Sequence, residues 1–248
     1  MLIAGAAVAP VLWVACACAL DRLVGDPRGV LHPVEVMGWW ISRVRGLAEP
    51  WAGASPWRLR LAGLLITLVL VGGSGLAGWG LERLALGVLS ASPAVAPALP
   101  LLSFCIGVAL QPLRVGAVLL LLIALASALA GRSLEQAVDA VLAAVAAKDL
   151  PLARQRLSWI VGRDTNGLDG PEILRAAAET ASENAVDGLF APLFWMLVGA
   201  GVWSAGALAA PGPLALAWGF KAASTLDSML GYRRGRLRWL GTAGARLD

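Results

Sequence analysis

Three carboxylates fall at i, i+4 and i+8 in the stretch "ETASENAVDG": Glu179, Glu183 and Asp187. On a helix they share one drifting face, where like charges repel. Directly after them comes "LFAPLFWMLVGAGVW", a run fit for lipid. Two readings are open. One is a solvated face with Arg175 pairing Glu179 at i, i+4. The other is Mg²⁺ coordination, because hard cations take oxygen ligands and Mg²⁺ sits on one or two carboxylates plus substrate phosphates.

Three further stretches hold side chains that could carry chemistry. "GRDT", Gly162 to Thr165, offers flexible backbone, a guanidinium fork, a carboxylate and a hydroxyl; its bland reading is a helix C-cap with a solvated Arg-Asp pair. "DRLVGDPRGVLHPVEVMG" holds Asp21, Asp26 and the only histidine, His32, which before Pro33 reads first as structural. "FKAASTLDSMLGY" holds Lys221, Thr225, Asp227 and Ser228 in or beside an apolar segment. Ionisable groups there are costly and point to function, unless both sit at helix ends and snorkel. No P-loop, nucleophile elbow, zinc-protease or paired CxxC pattern is present.

The elements that must position these groups are membrane helices. The chain has 248 residues, 58% hydrophobic and 15% charged, with a mean hydropathy of +0.75, far above a soluble domain. Five crossings of about 20 residues each are expected, near 2–20, 61–81, within 99–130, 189–210 and 212–230. No basic region precedes the first, so it is a retained helix rather than a cleaved leader. Cys16, Cys18 and Cys105 lie in apolar runs and read as small buried packing residues without metal spacing.

The loops between crossings set the orientation. Six arginines occupy 21–60, and the tail from 231 carries Arg233, Arg234, Arg236, Arg238 and Arg246. The positive-inside rule puts both in the cytoplasm, and the net charge of +4 reads as topology rather than nucleic-acid binding. With five crossings, 131–188 is also cytoplasmic. It reads as a helical insertion in a single membrane domain: Ser133 and Gln136 form a capping box, Asp149 caps a second helix ending at Gly162, "RDTNG" turns, and Asp169 opens a third helix.

Together these stretches resemble the CobD/CbiB family of cobalamin biosynthesis, the adenosylcobinamide-phosphate synthases. The resemblance rests on Asp21 and Asp26-Pro27 with "HPV" at His32, "GRDT" at Gly162, "ET-x2-EN-x2-DG" at Glu179, "APLFW" at Ala191 and "TLDSMLGY" at Thr225, and runs from near residue 20 to the end. Ser224 stands where the family has Asn before its "TLDSM", and Ala137 where it often has His. Members continue past Leu247-Asp248, as expected if this chain is truncated before a last membrane segment.

The resemblance implies an ATP- and Mg²⁺-dependent amide ligase, an all-α protein of the bacterial inner membrane with its site on the cytoplasmic face. It would join aminopropanol phosphate, or a related amino-alcohol phosphate, to adenosylcobyric acid. On that basis Asp164, Glu179, Glu183 and Asp187 would hold Mg²⁺. Asp26, Arg163, Thr165, Asn184, Lys221 and Ser228 would bind substrate and phosphate. His32, Arg163, Asp164, Lys221 and Asp227 would be catalytic, with His32 as proton shuttle. The rivals are a transporter using Lys221 and Asp227 as coupling groups, and a non-catalytic membrane sensor or scaffold of the AmpE-like type, which would not need the acidic set.

Overall fold

The computed structural model describes residues 2–25, 32–91 and 108–247. Asp26 and Cys105 lie outside them, as does the first part of the third expected crossing, 99–107. The described residues form helices joined by turns, without strands: an all-α membrane protein. Helix α1 (Leu2–Val24) contains the first expected crossing. Helix α2 (Pro33–Ala52) occupies what the charge pattern marks as a loop. It forms because His32 and Pro33 start it and its apolar face finds a partner: Met37 and Ile41 are buried against Leu59, Ile66 and Leu226.

Helix α3 (Pro56–Ser90) runs 35 residues, about 50 Å at 1.5 Å per residue, so it exceeds a hydrocarbon core of about 30 Å. The expected end at residue 81 is corrected. Glu82 and Arg83 do not stop the helix, because Glu82 finds a buried partner described below. Helix α4 (Gln111–Ala126) follows. Helices α5 (Gly131–Ala146), α6 (Leu150–Ser158) and α7 (Gly170–Ala185) form the helical insertion, with its own core of Val141, Ala144, Ala153, Leu157, Ile173 and Ala177.

A π-helical turn (Val186–Phe190) joins α7 to α8 (Ala191–Ser204). Helix α9 (Pro213–Leu230) is followed by two single turns, α10 (Leu237–Leu240) and α11 (Gly244–Leu247). Helix α9 is the spine of the bundle. Its first half joins the core of α1, α4 and α8 through Leu214 and Ala217, and its second half joins α2 and α3 through Ala222, Leu226 and Leu230.

Two helical stretches among the described residues are long and apolar enough to cross a bilayer, α3 and the continuous run Gly170–Ser204; the pair α4–α5, bent by 44°, makes a third if taken as one span. Helices α1 and α9, which hold the first and fifth expected crossings, are not among them. Helix α9 is an interior helix whose Ser224 and Thr225 are buried against protein. The lipid-facing wall is marked by large exposed apolar side chains such as Leu64 and Leu68 on α3, Leu119 and Ile123 on α4, and Phe194 and Leu197 on α8. Cys16 is exposed rather than a packing residue, and Cys18 is half-buried.

Candidate functional site

Glu179 stands at the centre of the charged region. One carboxylate oxygen accepts from the Arg175 Nε at 2.9 Å, the i, i+4 partner legible in the sequence. The other accepts from Arg163 at 2.8 Å, which brings "GRDT" onto the acidic face of α7. Helix α7 is held in place by a full capping box: Asp169 accepts from the Glu172 N–H, and Glu172 accepts from the Asp169 N–H. The two arginines, Arg163 first, hold the exposed Glu179 carboxyl below the usual glutamate range.

Beside this clamp is a polar cleft of about 500 Å³ between α6 and the "GRDT" turn. Pro151, Arg154, Gln155 and Ser158 present one face of α6 to it, and Arg163, Asp164, Thr165 and Asn166 supply the opposite wall. The spacing of the α6 residues, i, i+3, i+4 and i+7, is the polar counterpart of Ala153 and Leu157, which point into the core. Sequence reasoning missed Arg154, Gln155 and Ser158, although that periodicity was the available signal.

The π turn has a definite cause. Pro192 has no N–H, so it cannot serve the carbonyls of Asp187 and Gly188, its i−5 and i−4 neighbours. Both carbonyls are met from outside the helix. The Ala130 N–H donates to Gly188 at 2.8 Å, and the Lys221 ammonium donates to the Asp187 carbonyl at 3.4 Å. Lys221 therefore projects from α9 onto the end of the acidic stripe. Within α9, the Thr225 hydroxyl donates to the Lys221 carbonyl and the Ser228 hydroxyl to the Thr225 carbonyl.

The same end of the bundle receives the end of α1. Asp21, 5% exposed, accepts from the Gly131 N–H at 3.1 Å, and Arg132 donates to the Arg22 and Leu23 carbonyls, while Arg22 pairs with Glu135. This corrects the expected capping box of α5. Ser133 lies inside the first turn, and the N-terminus is served by Asp21 of α1 instead of a local side chain. The expected caps Asp149 and Asp169 are found. Helix α6 ends at Ser158, before Gly162, with Trp159 as its C-cap.

The remaining expected residues are placed as follows. His32 is the N-cap of α2, its Nδ1 accepting from the Val34 N–H at 3.3 Å. Thr165 is buried and donates to the Arg154 carbonyl, tying the turn to α6. Asp164 accepts from the Asn166 N–H. Glu183 and Asn184 are exposed, and Asp187 is half-buried. Asp227 is half-buried near the end of α9, folded over Gly231, where a Cβ would come within 2.1 Å of its Oδ1.

The expected cage of four carboxylates does not assemble. Among the described residues no three His, Cys, Asp or Glu side chains are grouped to hold a metal ion. The reason is geometric: Glu179 and Asp187 are eight residues apart, about 12 Å along a helix axis, and both Glu179 oxygens are engaged by arginines.

The far end of the bundle holds a carboxylate that sequence reasoning missed. Glu82 is fully buried and accepts from the N–H groups of Gly212, Leu214 and Ala215, capping α9 across the bundle. Trp79 and Trp203 fasten the same connection by donating to the Ala209 and Ala210 carbonyls.

Comparison with known proteins agrees with this arrangement of motifs. The family model described as CobD/Cbib protein matches residues 14–248. Similar proteins include the "Cobalamin biosynthesis protein CobD" of Synechocystis sp., 40% identical over 92% of this chain and 58% of its own length. That of Chromobacterium violaceum is 38% identical over 96% and 63%, and the "Cobalamin biosynthesis protein CbiB" of Salmonella arizonae is 36% identical over 94% and 61%. The chain thus spans about three-fifths of the length of these relatives. No solved structure gives a significant match. The chain belongs to the CobD/CbiB family of cobalamin biosynthesis proteins.

Proposed function

We propose that this chain carries the phosphate-gripping part of an adenosylcobinamide-phosphate synthase. The reaction is amide formation between adenosylcobyric acid and aminopropanol phosphate or a related amino-alcohol phosphate, driven by ATP, at the cytoplasmic face of the bacterial inner membrane. The observation that carries the reading is the polar cleft walled by Arg154 and Arg163, joined to the acidic face of α7 by the Arg163–Glu179 pair.

The chemistry asked of such a site is limited. A carboxyl oxygen must be made a leaving group before the amine nitrogen can displace it, and phosphoryl groups must be neutralised and aligned. Arg154 and Arg163 suit a phosphate, since guanidinium forks match its oxygens. Lys221 adds a point charge at the end of the stripe, and Asp26, Asn184 and Ser228 are the further polar contacts assigned to substrate. Asp227 and His32 are the groups assigned to hold or move the proton released by the amine. Mg²⁺ would arrive with the nucleotide and spread the phosphoryl charge. The exposed carboxylates Asp164 and Glu183 are those suited to hold it, since one or two carboxylates suffice when phosphates supply the rest.

The test is direct conversion. Membranes carrying the chain are supplied with adenosylcobyric acid, aminopropanol phosphate, ATP and Mg²⁺, and adenosylcobinamide phosphate is separated by chromatography. Product is expected, with Arg163→Ala and Glu183→Gln each lowering its rate roughly 10- to 100-fold, the worth of a hydrogen bond to a charged group. Unchanged rates in both variants would overturn the assignment of this site. A sensor, scaffold or transporter would make no product at all.

A further inference from the structure

At the end of the bundle where α3 begins and α9 ends, two short segments bring six arginines together: Arg58 and Arg60 from one, Arg233, Arg234, Arg236 and Arg238 from the other. Neither 51–60 nor 231–240 contains an acidic residue. The segments are fixed against each other by backbone packing. A Cβ on Gly63 would come within 1.9 Å of the Leu240 carbonyl oxygen, and one on Gly241 equally close to that of Leu230. Leu240 is 1% exposed and joins the core of α2, α3 and α9.

Three of these arginines are held by aromatic rings. Arg60 and Arg238 both lie over the Trp239 indole, at 4.5 and 4.9 Å from its centre, and Arg234 lies over Tyr232 at 4.9 Å. Glu49, the nearby acid, is engaged by Arg45 at 2.6 Å and by Arg236 at 3.9 Å. Among the described residues no carboxylate pairs with Arg58, Arg60, Arg233, Arg234 or Arg238. Two guanidiniums held over one ring without a counter-charge repel each other, and an anion between or above them removes that cost.

The order of residues along α3 says where that anion lies. Arg58 and Arg60 stand beside the exposed Trp57, and the exposed apolar face begins one turn later at Leu64, Leu65 and Leu68. Charge, aromatic ring, then hydrocarbon is the sequence of layers met on entering a bilayer. At 1.5 Å per residue, Arg60 sits about 6 Å from the level of Leu64, at headgroup depth.

We propose that this collar binds the phosphate headgroups of anionic phospholipids in the leaflet at that end of the bundle. It is distinct from the cleft between α6 and the "GRDT" turn. The lipid would neutralise the unpaired arginines and hold the end of α9 at a fixed depth.

The experiment uses the chain in nanodiscs of phosphatidylcholine alone or mixed with phosphatidylglycerol, with retained lipid counted by native mass spectrometry. Phosphatidylglycerol is expected to be retained in preference, the preference falling as salt is raised. Replacing Arg233, Arg234 and Arg238 together by Gln should lower it on the order of a hundredfold. The triple Lys variant should keep it. Equal retention of both lipids, a preference indifferent to salt, or loss in the Lys variant would overturn the proposal. So would displacement of the lipid by inorganic phosphate at matching concentration, which would assign the collar to a soluble phosphate ligand. Should the Gln variant fail to fold, the salt titration of the unaltered chain decides.

Discussion

Glu179 is shared between two guanidiniums, and that sharing defines what it does. Its pairing with Arg175 was legible because the two lie one helical turn apart. Its pairing with Arg163, sixteen residues earlier, was not, because it depends on how α6 and α7 pack. The pairing has a pH signature. The arginines hold the folded-state Glu179 carboxyl below its usual value, so the ion pairs contribute at neutral pH and are lost as pH falls through that lowered value. Melting the chain and its Glu179→Gln variant side by side should show a gap at pH 7 that closes in acid. A gap that widens in acid would contradict the pairing. Because Glu179 is exposed, the gap is expected to be small.

At the scale of elements, the helix starts were readable where the cap is local and hidden where it is remote. Asp149 and Asp169 cap helices three residues away and declare themselves in the sequence. Asp21 caps α5 from 110 residues away, and Glu82 caps α9 from 130, so neither leaves a local pattern. Glu82 even misled, since a charge at the end of an apolar run reads as the edge of the membrane. Its burial makes a strong prediction. Glu82→Ala leaves several buried N–H groups without an acceptor and should lower stability by about 3 kcal/mol or more, seen as a drop in melting temperature in detergent. Glu82→Gln keeps an acceptor oxygen and should cost less. Equal, negligible effects would show that the cap does not hold α9.

Helix α3 offers a second contrast at this scale. A Cβ at Gly63 would strike the Leu240 backbone, whereas one at Gly72 meets nothing within 4 Å. Gly63→Ala should destabilise by about 1–3 kcal/mol through overpacking. Gly72→Ala should be neutral or stabilising by up to about 1 kcal/mol, since Ala is the better helix former. Melting curves that ranked them in the reverse order would place the α3–α10 contact elsewhere. The sequence carries no sign of this difference, because both glycines sit in similar apolar surroundings and only the tertiary neighbour separates them.

For the whole molecule, the class was legible from hydropathy and the family from the order of short motifs. The number of crossings was not, because hydropathy and length do not separate a helix that crosses against lipid from one, such as α9, that runs through the interior of the bundle. What the motifs could not show is the way they meet. The Arg163–Glu179 pair, the Lys221 contact with the Asp187 carbonyl and the Asp21 cap of α5 join four separate parts of the chain at one end of the bundle. The connection between α8 and α9 forms the opposite end, with Leu208 exposed there.

That one-ended arrangement is the central claim, and the sidedness of single cysteines tests it most directly. With Cys16, Cys18 and Cys105 replaced, a cysteine is introduced singly at Asp164, Glu183, Ser228 or Leu208, and sealed vesicles are treated with a membrane-impermeant thiol reagent. The first three positions should label from one side and Leu208 from the other. Labelling of Asp164, Glu183 or Ser228 from the side that labels Leu208 would contradict the account.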